Sequence, residues 1–548
     1  MPVFPSFRRS IQRRRCLAIL AAAMLFCSAQ AQTEGSQRTQ IPSGPYRIAG
    51  TVVNAKSGSP LARSRVTIVN ARNRQSVQSV ITSDDGRFEF HVPAGKYSLG
   101  GAKRGFITAF YNQHDQFASA IVTGPDLDTE DLVLRLAANA VLTGQVLDEF
   151  GDPVRHAEIA VYREEHSEGM SRILHFRYAS TDNQGRYEVT PLAEGTYFVS
   201  AKASPWYAVH PTSISAGAAE PSQVDSSLDV AYPITYYGDA TEAEDAVPIP
   251  VRGGDRLEAD IHLNPVASLH VIVHVPVAFL QKPAFDDLDL VQSSNIQSVG
   301  PGVYELTGVP AGRYTVRMPD SSGQMRESTE VNLNSGGELD VSSGSSTGKI
   351  KATAKIEGAT NLPSQLQVEL RNSKGRVNAA VVDAKGEANF SDVIPGKYEV
   401  AARSPMQSYS VVGIASDAGT ISGHSLSVPP GTSLTIALSL VGGSVTVEGF
   451  AKRTGKGISG AMVVLVPKNP EANRDRFRRN QSDSDGSFSL PNVIPGSYTI
   501  IAIENGWDLD WAAPGVLAGY LKNGQSLEVG DRLQTPMHQA DAVEVQAK

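Results

Sequence analysis

Beyond residue 27 the chain has no cysteine: Cys16 and Cys27 are the only two in 548 residues. Disulfide scaffolds, thiolate nucleophiles and zinc sites built on Cys are therefore excluded from everything that follows. No later stretch is apolar for the roughly eighteen residues that signal a membrane-spanning helix, so no integral membrane segment is expected there. Positive charge is also scarce. Lys and Arg number 49 against 57 Asp and Glu, a formal charge of −8, and five of the arginines fall in the first thirty-one residues, which leaves −13 on the remaining 517. Such a chain carries no basic footprint for nucleic acid. Long helical periodicity is absent, as are His-Glu-x-x-His and a phosphate-cradling Gly-Lys-[Ser/Thr] loop, so no enzyme, cofactor or metal is expected from motif chemistry.

What is present begins with a segment unlike the rest. Arg8, Arg9, Arg13, Arg14 and Arg15 precede a short apolar core, Cys16 to Phe26, and Ala29-Gln30-Ala31 offers small residues at the positions a signal peptidase reads. An apolar run of that length falls short of the ~20 residues that span a bilayer. Residues 1–31 therefore read as a secretory signal peptide and 32–46 as a polar leader, which places the mature product in the periplasm or outside the cell.

One pattern then recurs five times. It runs Asp85-Gly86-Arg87-Phe88 with Ala94-Gly95-Lys96-Tyr97, then Gly185-Arg186-Tyr187 with Glu194-Gly195-Thr196-Tyr197. The third copy pairs Gly302-Val303-Tyr304 with Gly312-Arg313-Tyr314, the fourth pairs Gly386 and Phe390 with Gly396-Lys397-Tyr398, and the fifth pairs Asp485-Gly486-Ser487-Phe488 with Gly496-Ser497-Tyr498. The tyrosines are separated by 100, 117, 84 and 100 residues, the spacing of whole domains. Asp-x-x-Gly is a turn signal, because the carboxylate accepts from nearby backbone N–H groups and Gly supplies positive φ. Alternating runs such as Phe88-Glu89-Phe90-His91-Val92 and Tyr498-Thr499-Ile500-Ile501-Ala502 read as half-buried strands. About seven strands per copy make each unit a β-sandwich, with glycines at the turns and tyrosines bridging core and edge.

These residues resemble the carboxypeptidase regulatory-like domain, a transthyretin-like or immunoglobulin-like sandwich in the carbohydrate-binding-like superfamily. The match is carried by Gly50, Gly58 to Leu61, Gly86, Phe88, Gly95 and Tyr97 in the first unit, and by Gly144, Gly151 to Val154, Thr181, Asp182, Gly185 and Tyr187 in the second. Two units depart from it: the third has Val299-Gly300-Pro301-Gly302 without the turn Asp, and the fourth has Ala388 where an aromatic normally sits. The chain is thus expected to be all-β, with modules at 47–136, 137–264, 265–342, 343–441 and 442–548. The family motif specifies fold and leaves activity open. No residues remain for a separate peptidase domain, although accessory domains of a peptidase-type system stay a remote alternative.

The search for chemistry gives little. His270 and His274 on one strand stand about 13 Å apart, too far to share a metal. Glu164, Glu165, His166, Glu168 and His175 form a mixed-charge hairpin, and Asp483-Ser484-Asp485-Gly486 reads as a turn, since Phe488 and Leu490 belong to a strand where a calcium loop needs oxygens. Aromatics are more suggestive. Trp507 and Trp511 alternate with acids after a core strand, and Trp206, Tyr207, Tyr236 and Tyr237 occupy loops of the second unit, as Phe110-Tyr111 does in the first. Flat rings beside carboxylates suit the C–H faces and hydroxyls of sugars, while the same rings also suit the ends and joints of sandwiches. The superfamily resemblance favours carbohydrate or polymer binding at the envelope. The alternative is a structural or adhesion scaffold in which short joints hold sandwiches in line and recruit envelope proteins.

Overall fold

The computed structural model describes residues 39–167, 169–211, 225–274, 284–286, 296–319, 325–340, 348–358, 362–372, 377–393, 395–405, 407–530 and 536–548; the signal segment 1–31 and leader residues 32–38 lie outside them. Strands dominate, and among the described residues α-helix is confined to one turn, Ala518–Leu521. The architecture is the expected series of β-sandwiches, including the third and fourth units, whose motifs are incomplete.

In the first sandwich Tyr46–Asn54 lies between Arg87–Val92, antiparallel, and Leu132–Leu136, parallel. The facing sheet runs Val77–Ile81, Arg65–Asn70, Gly95–Ala102, and the last of these also carries Ala109–Phe110 and Ala120–Thr123. Alternation decides which faces meet: every second residue of Arg87–Val92 and Leu132–Leu136 is buried, because successive Cβ atoms point to opposite sides of a strand. Phe88, Phe90 and Leu134 from one sheet thereby pack on Val66, Ile68, Tyr97, Leu99 and Ile121 from the other. Each such side chain contributes roughly 1.5–3 kcal/mol relative to exposure. Separate cores of the same kind fill the second, third and fourth sandwiches.

The fifth sandwich differs in two ways. Its last strand, Val543–Gln546, pairs in parallel with both Val445–Arg453 and Gly496–Ile503, so the two sheets are joined. Its strand Met462–Pro467 is buried along its whole length. Val463 and Leu465 enter the main core, whereas Met462, Val464 and Val466 form a second core with Ile501, Ile503, Trp507 and Leu517. An uninterrupted apolar run of this kind requires cover on both faces.

The repeated motif builds the same hairpin in each unit. Gly86, Gly185, Gly302, Gly386 and Gly486 have φ of +76°, +69°, +71°, +85° and +82°, the left-handed region that favours glycine. The carbonyls of Gly86, Gly185, Gly386 and Gly486 accept the amides of Val52, Val146, Ala354 and Ala451 at 2.7–2.9 Å. A Cβ there would stand 2.5–3.0 Å from the carbonyl oxygen of that same partner. The second glycine divides the copies, and it corrects the sequence reading only at Gly95 and Gly312. Gly95 and Gly312 have no positive φ, and Gly195, Gly396 and Gly496, at +157°, +158° and +149°, lie toward the extended edge. They open a strand, and a Cβ on Gly95 or Gly312 would meet the ring of Tyr97 or Tyr314 at 3.5 Å.

Those tyrosines tie turn to core. The hydroxyls of Tyr97, Tyr197, Tyr314 and Tyr498 donate to the carbonyls of Pro93, Ala193, Pro310 and Ile494 at 3.1, 2.9, 2.6 and 2.6 Å. Each partner lies four residues upstream, so the bond closes the turn while the ring remains buried. Burial pushes the Tyr498 hydroxyl up to about 12. Tyr398 is buried in the same way, and its upstream residue 394 lies outside the described residues.

Candidate functional site

The sandwiches do not stand in line. Residues of the fifth touch the first, second and fourth, which corrects the in-line picture of the scaffold alternative. The docking of fifth on first is built from the repeat motif. Asp483, the turn aspartate of the fifth hairpin, accepts the Ala120 amide at 2.9 Å and Lys96 Nζ at 2.7 Å. Ser484 N–H donates to the Ala120 carbonyl at 2.9 Å, and its hydroxyl accepts the Val122 amide at 2.9 Å. The hairpin tip thus satisfies the outward backbone groups of edge strand Ala120–Thr123. Beside it the buried Gln481 donates to Asn112 O at 2.6 Å and Ser119 Oγ at 2.9 Å, and Ser119 donates to Ser482 O at 2.7 Å. Burial pushes the Asp483 carboxyl above its ordinary value, against the opposing pull of Lys96.

The aromatic candidates are placed very differently from one another. Trp507 is buried, its indole N–H donating to Gly460 O at 3.0 Å. His114 of the first sandwich stacks on it at 5.2 Å and 7°, and Phe117 leans on it at 5.4 Å. The Arg479 guanidinium lies 5.1, 5.5 and 5.4 Å from the rings of Phe117, Trp507 and Trp511, so the protein's own cation fills the space between them. Tyr236 is buried and Tyr237 packs against the second core. Tyr207 and Tyr232 both donate to Glu149, and together they hold its carboxyl below the usual range despite the opposing effect of burial. Trp206 is 85% exposed, edge-on to Tyr207, and Phe150, the neighbour of Glu149, is 76% exposed. The structure therefore does not assemble these residues into one surface.

It does bring Trp511 to a cleft. The hairpin of the second sandwich, Glu158–Ser167 and Met170–Ser180, reaches the fifth at its tip. There Ser171 N–H donates to Asp510 at 2.6 Å, Ala512 N–H donates to Gly169 O at 3.0 Å, and His166 lies 3.6 Å from Asp510. A Cβ on Gly169 would come within 2.5 Å of the Trp511 ring. The fourth sandwich approaches from another side, through Gln407 Nε2 to Gly443 O at 2.9 Å and Arg476 Nε to Ser410 Oγ at 3.1 Å. Between the three sandwiches lies a cleft of about 830 Å³. Trp511, Phe477 and Tyr409 line it together with Arg172, Arg371, Arg403, Arg474, Glu399 and Asp475. Sequence reasoning named Trp511 alone among these. The uninterrupted run Met462 to Val466 is the signal that could have shown an outer face of the fifth sandwich covered by other parts of the chain.

Other candidates have structural partners. His270 lies 2.6 Å from Asp229 and 3.5 Å from the buried Glu305, while His274 faces Glu338 at 3.8 Å. Asp229 also accepts His210 at 3.0 Å, so these groups join the second and third sandwiches. Asp485 accepts the Ser487 amide at 2.9 Å, which leaves both turn carboxylates engaged by protein. Among the described residues no group of three or more His, Cys, Asp or Glu could hold a metal ion. A literal Gly-x-Ser-x-Gly stands at 344–348 and leads into strand Gly348–Ile356, where a nucleophile elbow requires a helix. No helix of the described residues is long and apolar enough to cross a membrane.

Comparison with known proteins supports the fold. Residues 47–117 and 141–229 each match the carboxypeptidase regulatory-like domain, and residues 440–518 match the second β-sandwich domain of the BOS complex subunit NOMO1-like family. No curated protein matches the chain. Among solved structures, the Bacillus anthracis TIE protein aligns at 11% identity over 97% of this chain and 77% of its own, with a TM-score of 0.15. A minor pilin of Streptococcus agalactiae aligns at 12% identity over 40% of this chain and 97% of its own, with a TM-score of 0.21. The shaft pilin SpaA of Lactobacillus rhamnosus GG aligns at 11% identity over 41% and 99%, with a TM-score of 0.20. Likeness at these scores carries no argument about arrangement or function.

Proposed function

We propose that this chain, a tandem β-sandwich protein carrying two carboxypeptidase regulatory-like domains, is an exported, non-catalytic binding scaffold whose ligand is a carbohydrate or similar polar polymer held in the cleft between the second, fourth and fifth sandwiches. Export rests on the N-terminal signal pattern. The observation that carries the binding reading is the lining itself, in which the rings of Trp511, Phe477 and Tyr409 stand among guanidinium and carboxylate groups. Such a wall combines apolar faces for the C–H surface of a sugar with charged groups for its hydroxyls, in a volume within the ~300–1,000 Å³ usual for small-ligand sites.

The test is affinity electrophoresis of the chain from residue 32 through gels containing a broad panel of polysaccharides. Retardation by at least one is expected, weakened by Trp511→Phe and unchanged by Trp206→Phe. Free migration through the whole panel contradicts the reading. A second reading, a scaffold for protein partners, is favoured by the exposed Phe150 and Trp206 at one end of the second sandwich. Loss of retardation in Trp206→Phe, with Trp511→Phe unaffected, would move the site to that end.

A further inference from the structure

We infer that the cleft between the second, fourth and fifth sandwiches takes an anionic saccharide, one bearing carboxylate groups. This deepens, and rests on, the carbohydrate reading of the same cleft. The protein as a whole is acidic, with a formal charge of −8. Yet the cleft gathers Arg172 from the second sandwich, Arg371 and Arg403 from the fourth, and Arg474 from the fifth, against Glu399 and Asp475. Local charge on this wall therefore runs opposite to that of the molecule.

Two of these cations have partners within the protein, and two stand without an ion pair among the described residues. Arg371 and Arg403 share the carboxylate of Glu369, at 3.9 and 3.0 Å. Arg172 and Arg474 are exposed, and among the described residues neither forms an ion pair. Arg172 and Arg474 thus give this wall a positive field, which the low dielectric of a concave surface strengthens. An entering carboxylate is drawn by that field, and the guanidinium fork matches it in bidentate geometry.

A saccharide is favoured over a bare anion by the rest of the wall. Trp511 and Phe477 supply apolar faces in contact with each other, ring centroids 5.2 Å apart. Glu399, exposed on the same wall, offers carboxylate oxygens to sugar hydroxyls.

The experiment uses the chain from residue 32 in affinity gels containing polygalacturonate, neutral dextran or poly-glutamate, each with and without added salt. Polygalacturonate is expected to bind at least about tenfold more tightly than dextran, an advantage lost with salt, and about tenfold more tightly than poly-glutamate. The double variant Arg172→Gln/Arg474→Gln should lose about tenfold in that affinity while circular dichroism and melting temperature stay unchanged. Equal binding of dextran and polygalacturonate overturns the anionic inference and leaves the carbohydrate reading standing. Poly-glutamate binding as well as polygalacturonate overturns the saccharide part of it. Absence of binding to all three overturns the inference, while retardation by another neutral polysaccharide in the broader panel would still leave the carbohydrate reading intact.

Discussion

The turn aspartates of the second and fourth sandwiches cap their own hairpins, whereas that of the fifth reaches out of its module. Asp182 accepts the amides of Gln184 and Arg186 at 2.8 and 2.9 Å, and Asp383 accepts those of Lys385 and Glu387 at 2.8 Å each. In the fifth hairpin Asp485 takes over the local role through Ser487, and Asp483 is free to hold Lys96 and Ala120 of the first sandwich. The electrostatic result is opposite. Backbone N–H donors hold Asp182 and Asp383 below the usual carboxylate range, while burial raises Asp483. One added acidic residue in the turn thus lets the same hairpin serve as a docking surface.

Replacing the aromatic under that interface should have the largest effect. Trp507→Ala removes a buried ring shared between two sandwiches and is expected to cost roughly 3–5 kcal/mol in denaturant unfolding. A cost below about 1 kcal/mol would show that the first sandwich does not cover it in solution. Next, Asp483→Ala leaves the Ala120 amide and Lys96 without their acceptor, an expected loss of about 1–3 kcal/mol in docking. Hydrogen exchange across Ala120–Thr123 should accelerate, and Asp182→Ala should leave that segment protected. Equal protection in both variants would erase the distinction between the hairpins.

Acidity sharpens the comparison further. Asp182 and Asp383, with lowered folded pKa values, contribute stability that is present above the unfolded carboxylate value of about 4 and lost as pH falls through the folded one. Asp483, with its raised folded pKa, behaves in reverse: its contribution is fullest below the unfolded value and is lost as pH rises through the folded one. Asp483→Asn should therefore leave the segment 120–123 at least as protected at pH 7 as in the parent chain, whereas Asp182→Asn should flatten the acid limb of the unfolding profile. Trp206→Ala should be the mildest change, within about 0.5 kcal/mol, because the ring is exposed.

Local chemistry was legible and remote partnership was not. The positive φ at Gly185, Gly386 and Gly486 follows from Asp-x-x-Gly, and the tyrosine spacing placed five sandwiches without reference to any contact. Gly95 was misread because a glycine after a turn looks like a turn residue, although its place is beneath the Tyr97 ring. Asp483 reads as a capping residue like Asp182, since its true partners lie more than 360 residues earlier in the chain. The same holds for Trp507, whose cover comes from His114 and Phe117, and for the cleft, whose arginines come from three modules. What the sequence did contain was the run Met462 to Val466, whose lack of alternation marks a strand with no solvent face.

Docking of the first sandwich on the fifth is tested most directly by a pair of introduced cysteines. Asn112 Nδ2 and Ser459 Oγ lie 3.1 Å apart across the interface, and the chain from residue 32 has no cysteine of its own. Oxidation of Asn112→Cys/Ser459→Cys should join the two within one molecule, seen as faster migration in a non-reducing gel at high dilution. A pair that stays reduced, or that links only separate molecules, would contradict the closed arrangement.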